Sequence, residues 1–281
     1  MSYWVYIPSW MKRFLLFTIS LVLLASCKVQ QSSIAESPWE LVFEDEFDGD
    51  LRHWNVWESG AYNEEIQYYT GEQVTTRDGL LIIEAKRQEL ERPSKINNEI
   101  TQKYEYVSAR IESGVQYGPS KKVGEGVYRF AARIKLPRGH GMWPAFWIYG
   151  EPWPTQGEID ILEFRGGEPD KYQSNIFYGV EAAKNINKKT ESYHDIGEDL
   201  TADFHVYEMT WSADYIELYF DGRLLHRYTS NHKNNINKFF ECTQKIVLNT
   251  AVGGWFFEDR NSANYADSST MEVDWVRVYR R

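Results

Sequence analysis

Short runs in which hydrophobic and polar residues alternate recur along the chain, and turn residues separate them. The clearest runs lie at residues 80–85, 127–136, 215–220, 245–248 and 271–279. A period of two residues is typical of β-strands that bury one face. Asp221-Gly222, which follows the third run directly, predicts a tight hairpin turn. The pattern therefore predicts an all-β domain, a sandwich of two antiparallel sheets packed face to face.

Composition adds a surplus of rings and an acidic balance to this picture. Aromatic residues make up 16% of the chain, enough for a large core with rings left over for a binding surface. The formal net charge is -10, and after residue 27 the chain holds 29 basic and 41 acidic residues, a balance of -12. This excess of negative charge argues against nucleic acid as a partner.

The first 27 residues predict a targeting segment. From Met11, two basic residues precede an apolar stretch at 14–24, which is too short for a comfortable membrane span and is typical of a secretory signal. The stretch ends in Leu-Ala-Ser-Cys, which resembles a bacterial lipobox with Cys27 as the lipidated first residue of the mature protein. Translation would then start at Met11 and not at Met1. An ordinary signal peptide cleaved nearby is the alternative.

Beyond the signal, the polar segment 28–37 predicts a flexible tether, and residues 38–281 predict a single folded domain. We expect export to the cell envelope or cell surface of a bacterium, with membrane contact through the lipid alone. With Cys27 lipidated, Cys242 has no partner for a disulfide, and we expect it to be a small buried side chain.

Three carboxylates interrupt the apolar sequence GEIDILEF at residues 157–164. In a regular strand Glu158 and Asp160 share one face, whereas Glu163 falls on the other. A β-bulge between Asp160 and Glu163 would bring all three to one groove. The two glutamates could then approach to the separation of about 5 to 5.5 Å that a retaining glycosidase needs. Close like charges would also separate their pKa values into the ionised and protonated forms that this chemistry uses.

From the residues alone, two other interpretations of this acidic strand remain open. Acidic residues are common on the solvated face of an edge strand. Clustered carboxylate oxygens also suit a calcium ion.

The neighbouring motifs carry a resemblance to a known family. The sequence WPAFW at 143–147, followed within about ten residues by GEIDILE, resembles glycoside hydrolase family 16, the retaining endo-glycanases. Segments 43–49, 108–111, 133–137, 248–254 and 273–279 resemble further strands of the same family, and 63–69 resembles a segment common in its laminarinase-like members. The resemblance implies a β-jelly roll with an open cleft on its concave face.

The resemblance also implies roles for the three acids. Glu158 would be the nucleophile, Asp160 its electrostatic helper, and Glu163 the general acid that later acts as general base. Catalysis would then need no cofactor. The spacing in GEIDILE matches the bulged form that is typical of laminarinase-like and galactanase members.

Several further residues are candidates for substrate binding. Trp143 and Trp147 lie four apart, on one face of a strand, where their rings could stack on sugars or pack in a core. Trp255 is a candidate cleft wall, with core packing as the alternative. Asn63 and Arg110 match hydroxyl-binding positions of laminarinase-like members, although Arg110 could instead pair with a surface acid.

Two features bear on the finer expectations. Laminarinase-like members carry a histidine on the strand after the catalytic one, where this chain has Phe177 or Tyr178, followed by a variable loop at 181–198. Family members also often hold a structural calcium, and Gly79 and Asp274, with Glu44 as a weaker third, match that site.

Together these features predict a monomeric, lipid-anchored, retaining endo-glycanase. The expected substrate is laminarin-type β-1,3-glucan or mixed-linkage β-glucan. The alternatives are a galactanase of the same family, such as an agarase, a porphyranase or a carrageenase-like enzyme, and a noncatalytic surface glycan-binding protein.

Overall fold

The computed structural model describes residues 38–95, 99–120, 126–186, 191–230, 239–240 and 242–281. These residues form seventeen strands joined by turns and three short 3-10 segments, Gly71–Gln73, Gly254–Phe256 and Ser262–Asn264. The strands are β1 Glu40–Asp45, β2 Trp54–Val56, β3 Gln67–Tyr69, β4 Val74–Arg77, β5 Leu80–Pro93, β6 Thr101–Ser108, β7 Arg110–Tyr117, β8 Tyr128–Lys135, β9 Met142–Tyr149, β10 Glu158–Phe164, β11 Lys171–Phe177, β12 Ser192–Asp195, β13 His205–Trp211, β14 Tyr215–Phe220, β15 Arg223–Thr229, β16 Gln244–Val252 and β17 Ser268–Arg280.

The strands build two sheets, which confirms the predicted sandwich. The larger sheet has the order β15-β14-β13-β8-β17-β5-β6-β3, with β1 added beside β17 and β4 beside β5. The smaller sheet has the order β12-β11-β10-β9-β16-β7-β2. Neighbouring strands run antiparallel except β3 and β6, which are parallel. The WPAFW and GEIDILEF segments are thus adjacent strands, β9 and β10, in the middle of the smaller sheet.

The predicted hairpin at Asp221-Gly222 is confirmed. Both residues have positive φ, 46° and 75°, between β14 and β15. Two successive left-handed residues match the right-handed twist of the flanking strands, and Asp-Gly supports this conformation well. Asp78-Gly79 makes the same type of turn between β4 and β5, with φ of 55° and 73°.

The predicted strands are present, and several extend beyond their predicted ends. β5 continues to Pro93 because its second half pairs with β6, a partner that local periodicity does not reveal. The expected loop at 181–198 contains a strand, β12, which pairs with β11 at the edge of the smaller sheet. The prediction of a variable loop over the whole segment is therefore wrong for Ser192–Asp195, which is a strand.

The core lies between the two sheets and contains large rings from both. Trp211, Tyr207 and Phe130 come from the larger sheet, and Phe146 and Phe164 come from the smaller one. Each has at most 1% of its surface exposed. Burial of apolar surface stabilises a fold by roughly 25 cal/mol per Å². This buried layer therefore holds the smaller sheet in place from one side, and the other face of that sheet is available for binding.

Residues Trp39–Arg281 form one compact unit. The predicted signal segment, the tether and Cys27 lie outside the described residues. Cys242 is half-buried, and its thiol donates a hydrogen bond to the carbonyl of Gln156 over 3.2 Å. Within the described ranges, no helix has the length and apolar character required to cross a membrane.

The residues predicted for a calcium site give that site little support. Asp274 follows Val273, which pairs with Leu81 close to Gly79, so the sheet does bring these positions near each other. The carboxylate of Asp274, however, accepts a hydrogen bond from Arg133 over 2.6 Å, and this cation opposes a second one. Glu44 is exposed on β1. No group of three His, Cys, Asp or Glu side chains in the described part of the chain is arranged to hold a metal ion, and the calcium stays a prediction.

Candidate active site

β10 contains the predicted bulge. Its pairing with β9 skips one residue between Asp160 and Leu162, which makes Ile161 the extra residue. The side chains of Ile161 and Leu162 are both buried in the core between the sheets. The alternation therefore resumes one residue late, and Glu163 returns to the cleft face that Glu158 and Asp160 occupy.

The bulge has a specific support from the neighbouring strands. The hydroxyl of Ser174 on β11 donates to the carbonyl of Ile161 over 2.9 Å. His194 on β12 holds the same hydroxyl oxygen, with its Nε2 atom 3.0 Å away. Burial lowers the pKa of His194 to about 4, so its ring is neutral near pH 7. Because Ser174 donates to Ile161, the neutral ring donates its Nε2 proton to Ser174.

The three carboxyls lie in a cleft of about 1080 Å³ on the exposed face of the smaller sheet. The cleft crosses the strands instead of following them, since its lining comes from β7, β16, β9, β10 and β11. Ten aromatic side chains of the described residues contribute to its lining: Trp57, Tyr62, Tyr69, Trp143, Trp147, Tyr149, Trp153, Phe177, Trp255 and Phe256.

Indole and amide donors hold the two glutamates. Trp153 Nε1 donates to Glu158 Oε2 over 2.7 Å. Trp143 Nε1 donates to Glu163 Oε1 and Gln173 Nε2 donates to Glu163 Oε2, each over 3.2 Å. Neutral donors stabilise the ionised form of a carboxyl, and both oxygens of Glu163 are fixed in direction.

Asp160 has a different environment. Its Oδ2 atom is buried and has no hydrogen-bond partner among the residues described. Burial, together with the charges of Glu163 and Glu158, raises the pKa of Asp160 well above its usual range. A buried carboxyl that accepts no hydrogen bond is more stable in its protonated form. That protonated form can donate one hydrogen bond to a neighbouring acid.

Burial also raises the pKa values of the glutamates. The pKa of Glu158 rises to about 8, first through burial and then through the charge of Glu163. The pKa of Glu163 rises to about 7 through burial, against the opposing effect of Gln173 and Trp143. The cluster therefore holds protons at neutral pH, as general acid catalysis requires. The order of these values does not separate nucleophile from acid.

Arg110 lines the cleft but is committed to protein partners. Its guanidinium donates to Glu112 Oε1 from Nη2 and Nε over 2.5 and 3.2 Å. The same group lies 3.7 Å from the ring centre of Trp57 and 4.7 Å from that of Trp147. The acid that pairs with Arg110 is thus buried beneath the cleft, not on the surface, and the arginine braces two aromatic walls.

Trp143 and Trp147 lie on one face of β9, as their spacing predicts, and both rings are partly exposed in the cleft. Trp143 stacks on Phe256 with ring centres 4.3 Å apart and planes 9° from parallel. Trp147 donates from Nε1 to Asn249 over 2.7 Å. Each indole is held in a fixed orientation with part of its face open, which suits the predicted stacking on sugars.

Asn63 and Trp255 are joined at the cleft rim. The amide of Trp255 donates to the carbonyl of Asn63 over 2.9 Å. The Asn63 side chain in turn donates to Glu65 over 3.3 Å. Trp255 is 61% exposed, which excludes the core-packing alternative.

The structure adds residues that the sequence did not single out. Trp153 stands between two prolines ahead of the catalytic strand, and nothing in its local pattern indicates that it reaches Glu158. Glu65 is a buried fourth carboxyl in the cleft, bonded to Gln67 over 2.7 Å. These two polar residues stand two apart in an otherwise strand-like segment, a pattern that indicates a polar face.

Phe177 and Tyr178 are now distinguished. Phe177 faces the cleft directly opposite Glu158 in the pairing of β10 with β11. Tyr178 is buried against Phe239. An apolar ring therefore occupies the cleft position at which the resemblance implies a histidine.

A cleft on one face of a β-sandwich that holds paired glutamates between aromatic walls is typical of a glycoside hydrolase. Residues 61–277 match the model for Glycosyl hydrolases family 16, and the chain belongs to this family.

Two curated relatives are 31% identical. One is the Glucan endo-1,3-beta-glucosidase of Cryptopygus antarcticus, for which the match covers 94% of this chain and 98% of the relative. The other is Glucan endo-1,3-beta-glucosidase A1 of Niallia circulans, where it covers 85% of this chain and 38% of the relative. This chain therefore spans less than half of the second relative.

Solved structures give the same fold. The endo-beta-1,3-glucanase from Pyrococcus furiosus superposes with a TM-score of 0.71 at 31% identity, over 86% of this chain and 94% of that one. A structure from work on endo-acting O-glycanases of the human gut microbiota gives 0.73 at 27% identity, over 87% and 91%.

Proposed function

We propose that this protein is an exported, lipid-anchored endo-β-1,3-glucanase that hydrolyses internal linkages with retention of configuration. The observation that carries the proposal is the bulge at Ile161, which turns Glu158, Asp160 and Glu163 into one aromatic cleft. The relatives named as glucan endo-1,3-beta-glucosidases support the substrate.

The proposed reaction has two steps. Glu158 attacks the anomeric carbon while Glu163 gives its proton to the glycosidic oxygen, so that a glycosyl ester forms and the leaving sugar departs neutral. Glu163 then takes a proton from water, the hydroxyl attacks the same carbon, and Glu158 leaves as a carboxylate. Asp160 holds a proton beside Glu158 and limits the repulsion between the two glutamates.

The charge of the cleft supports a neutral glucan as substrate. Arg110 is the basic residue among the described lining residues, and Glu112 neutralises it. Against it stand five acids, Glu65, Glu151, Glu158, Asp160 and Glu163. Sulfate groups on a polysaccharide would meet no unpaired cation among these lining residues, whereas neutral sugars meet aromatic rings and hydrogen-bonding carboxyls.

A substrate panel tests the activity. The purified protein is incubated with laminarin, lichenan, agarose, carrageenan and a mucin O-glycan, and new reducing ends are measured. We expect rapid release from laminarin as oligosaccharides of several lengths, which marks internal cleavage. If no glycan yields new reducing ends and at least one binds measurably, the result would favour the noncatalytic binding protein instead.

The anchor is tested separately. Cys27→Ala should release the protein from the membrane fraction of expressing cells, because lipidation of that thiol provides the attachment. Unchanged membrane association of this variant would contradict the lipid anchor without affecting the proposed activity.

A second candidate is an endo-acting enzyme on galactose-containing chains, in line with the galactanase alternative. Phe177 favours it, because an apolar ring replaces the histidine expected of a laminarinase-like cleft opposite Glu158. The likeness to the gut O-glycanase structure supports it as well. In the panel, faster release from agarose or the mucin glycan than from laminarin would select this candidate.

A further inference from the structure

A continuous row of cross-strand partners crosses the smaller sheet through the catalytic acid. The row runs through six strands, each residue opposite the next: Arg110, Asn249, Ala145, Glu163, Gln173 and Tyr193. Directly opposed residues in a sheet point to the same face. Since Gln173 donates to Glu163 in the cleft, Tyr193 also points to the cleft side of the sheet.

Tyr193 occupies the outer end of this row, on the edge strand β12. Its side chain is 68% exposed, the largest exposed fraction among the big apolar residues described. In the part of the chain that the structure describes, its ring makes no hydrogen bond and no ring contact. The next residue, His194, is buried and bonded to Ser174, which confirms that the strand alternates and that Tyr193 faces outward.

We propose that Tyr193 is a stacking platform for a sugar residue of the substrate beyond the cleft, and that it makes the enzyme favour long chains. The inference rests on the proposed glycanase function. Neighbouring strands lie about 4.8 Å apart, so β12 is about 10 Å from the strand of Glu163, which one or two sugar residues can span.

The direction of the cleft supports this assignment. The lining crosses the sheet from β7 to β11, and β12 is the next strand in that direction. A polysaccharide that fills the cleft and continues past Phe177 and Gln173 therefore arrives over Tyr193. An exposed ring at that point offers an apolar face to the apolar face of a pyranose ring.

The test compares chain-length dependence. Wild type and Tyr193→Ala are assayed on a series of β-1,3-linked gluco-oligosaccharides from trisaccharide to heptasaccharide, and kcat/KM is measured for each. We expect Tyr193→Ala to reduce the ratio of kcat/KM for the longest substrate to that for the shortest by about tenfold, the loss of one aromatic contact. Tyr193→Phe, which keeps the ring, should retain the wild-type ratio.

Leu224→Ala is the matched control, because Leu224 is 50% exposed on β15 of the other sheet. It should leave kcat/KM unchanged for every length. If wild type cleaves the series and Tyr193→Ala keeps the same ratio of kcat/KM between the longest and the shortest substrate, this inference alone would be overturned. An equal loss at every length in Tyr193→Ala, or the same loss in Tyr193→Phe, would also overturn it. No cleavage of any β-1,3-glucan by the wild type would overturn the proposed function and this inference together.

Discussion

The hydroxyl of Ser174 donates a hydrogen bond to the main-chain carbonyl of Ile161 over 2.9 Å. Ile161 is the extra residue of the bulge, so this bond satisfies a carbonyl that lies in the irregular part of the ladder. The orientation of Glu163 toward Glu158 depends on that irregularity. A side chain outside the cleft thus supports the geometry within it.

Replacing Ser174 by Ala should weaken both the fold and the reaction. Loss of a buried hydrogen bond costs about 1 to 2 kcal/mol of unfolding free energy, and a displaced Glu163 lowers kcat/KM by about tenfold or more. Ser113→Ala is a matched control, because the buried Ser113 hydroxyl accepts from Ile246 beside another register shift, between Lys245 and Val247. Similar stability losses with equal kinetic losses in both variants would show that Ser174 has no specific effect on the acids.

His194 predicts a pH dependence of stability. The pKa of His194 is about 4 in the folded protein and 6.5 in the unfolded chain. As the pH falls, the unfolded chain therefore takes up a proton before the folded protein does. The free energy of unfolding is therefore higher above pH 6.5 than near pH 4 by up to about 3 kcal/mol, and this stability is lost as the pH falls from 6.5 toward 4. Urea unfolding at pH 7 and pH 5 should show that the free energy of unfolding falls more between these pH values in wild type than in His194→Gln. Equal falls would contradict a buried neutral histidine.

Trp153 predicts the position of the basic limb of the rate profile. Its indole N–H lowers the pKa of Glu158, which at about 8 lies above that of Glu163, so Trp153→Phe should raise that pKa and move the basic limb of kcat/KM to higher pH by about one unit. Trp143→Phe is the counterpart, since it removes a donor to Glu163, whose pKa of about 7 sets the acidic limb, and should instead move that limb to higher pH. A shift of the same limb in both variants would contradict the assignment of the two limbs to separate glutamates.

Asp160 predicts a conflict between stability and activity. At neutral pH the unfolded chain carries an ionised Asp160, whereas the buried carboxyl must take up a proton on folding. Asp160→Asn removes this cost and should stabilise the protein by about 1 to 3 kcal/mol at pH 7.5 while it lowers kcat. Thermal unfolding at pH 7.5 and pH 4.5 checks the sign, because the gain should shrink at the lower pH. Destabilisation at pH 7.5 would show that Asp160 is stably ionised.

The two glutamates should differ in the product that azide forms. With an activated aryl glycoside, Glu158→Ala should lose hydrolysis, and azide should partly restore turnover by attack on the opposite face, which gives an inverted glycosyl azide. Glu163→Ala should give the azide of retained configuration, because Glu158 still forms the glycosyl ester. The configuration is read by proton NMR. Full activity of Glu158→Ala would contradict the assignment of the strand.

Local chemistry in the sequence determined much of the fold. Alternation with a period of two, Asp-Gly turns and the aromatic excess predict a β-sandwich, because pleat and turn conformations depend on neighbours in the chain. The bulge was also predictable. Ile161 and Leu162 together can be buried only if the strand breaks its parity between Asp160 and Glu163.

The tertiary structure alone decided which side chains surround the acids. Trp153, Gln173 and Glu65 reach the cleft through strand order and loop paths, and neither is encoded in local periodicity. The same holds for Arg110, whose choice between sugar and acid depended on Glu112 on the same strand and on Trp57 from another part of the chain.

Tyr193 shows the same division most clearly. The polar, lysine-rich segment around it predicts a loop, yet pairing with β11 makes Ser192–Asp195 a strand and aligns Tyr193 with Glu163. A strand that is stabilised by its partner leaves a weak signal in its own residues. The sequence by itself therefore determined the chemistry of this protein's central strand, and the packing of distant strands around it decided how that chemistry is positioned and how far the cleft extends.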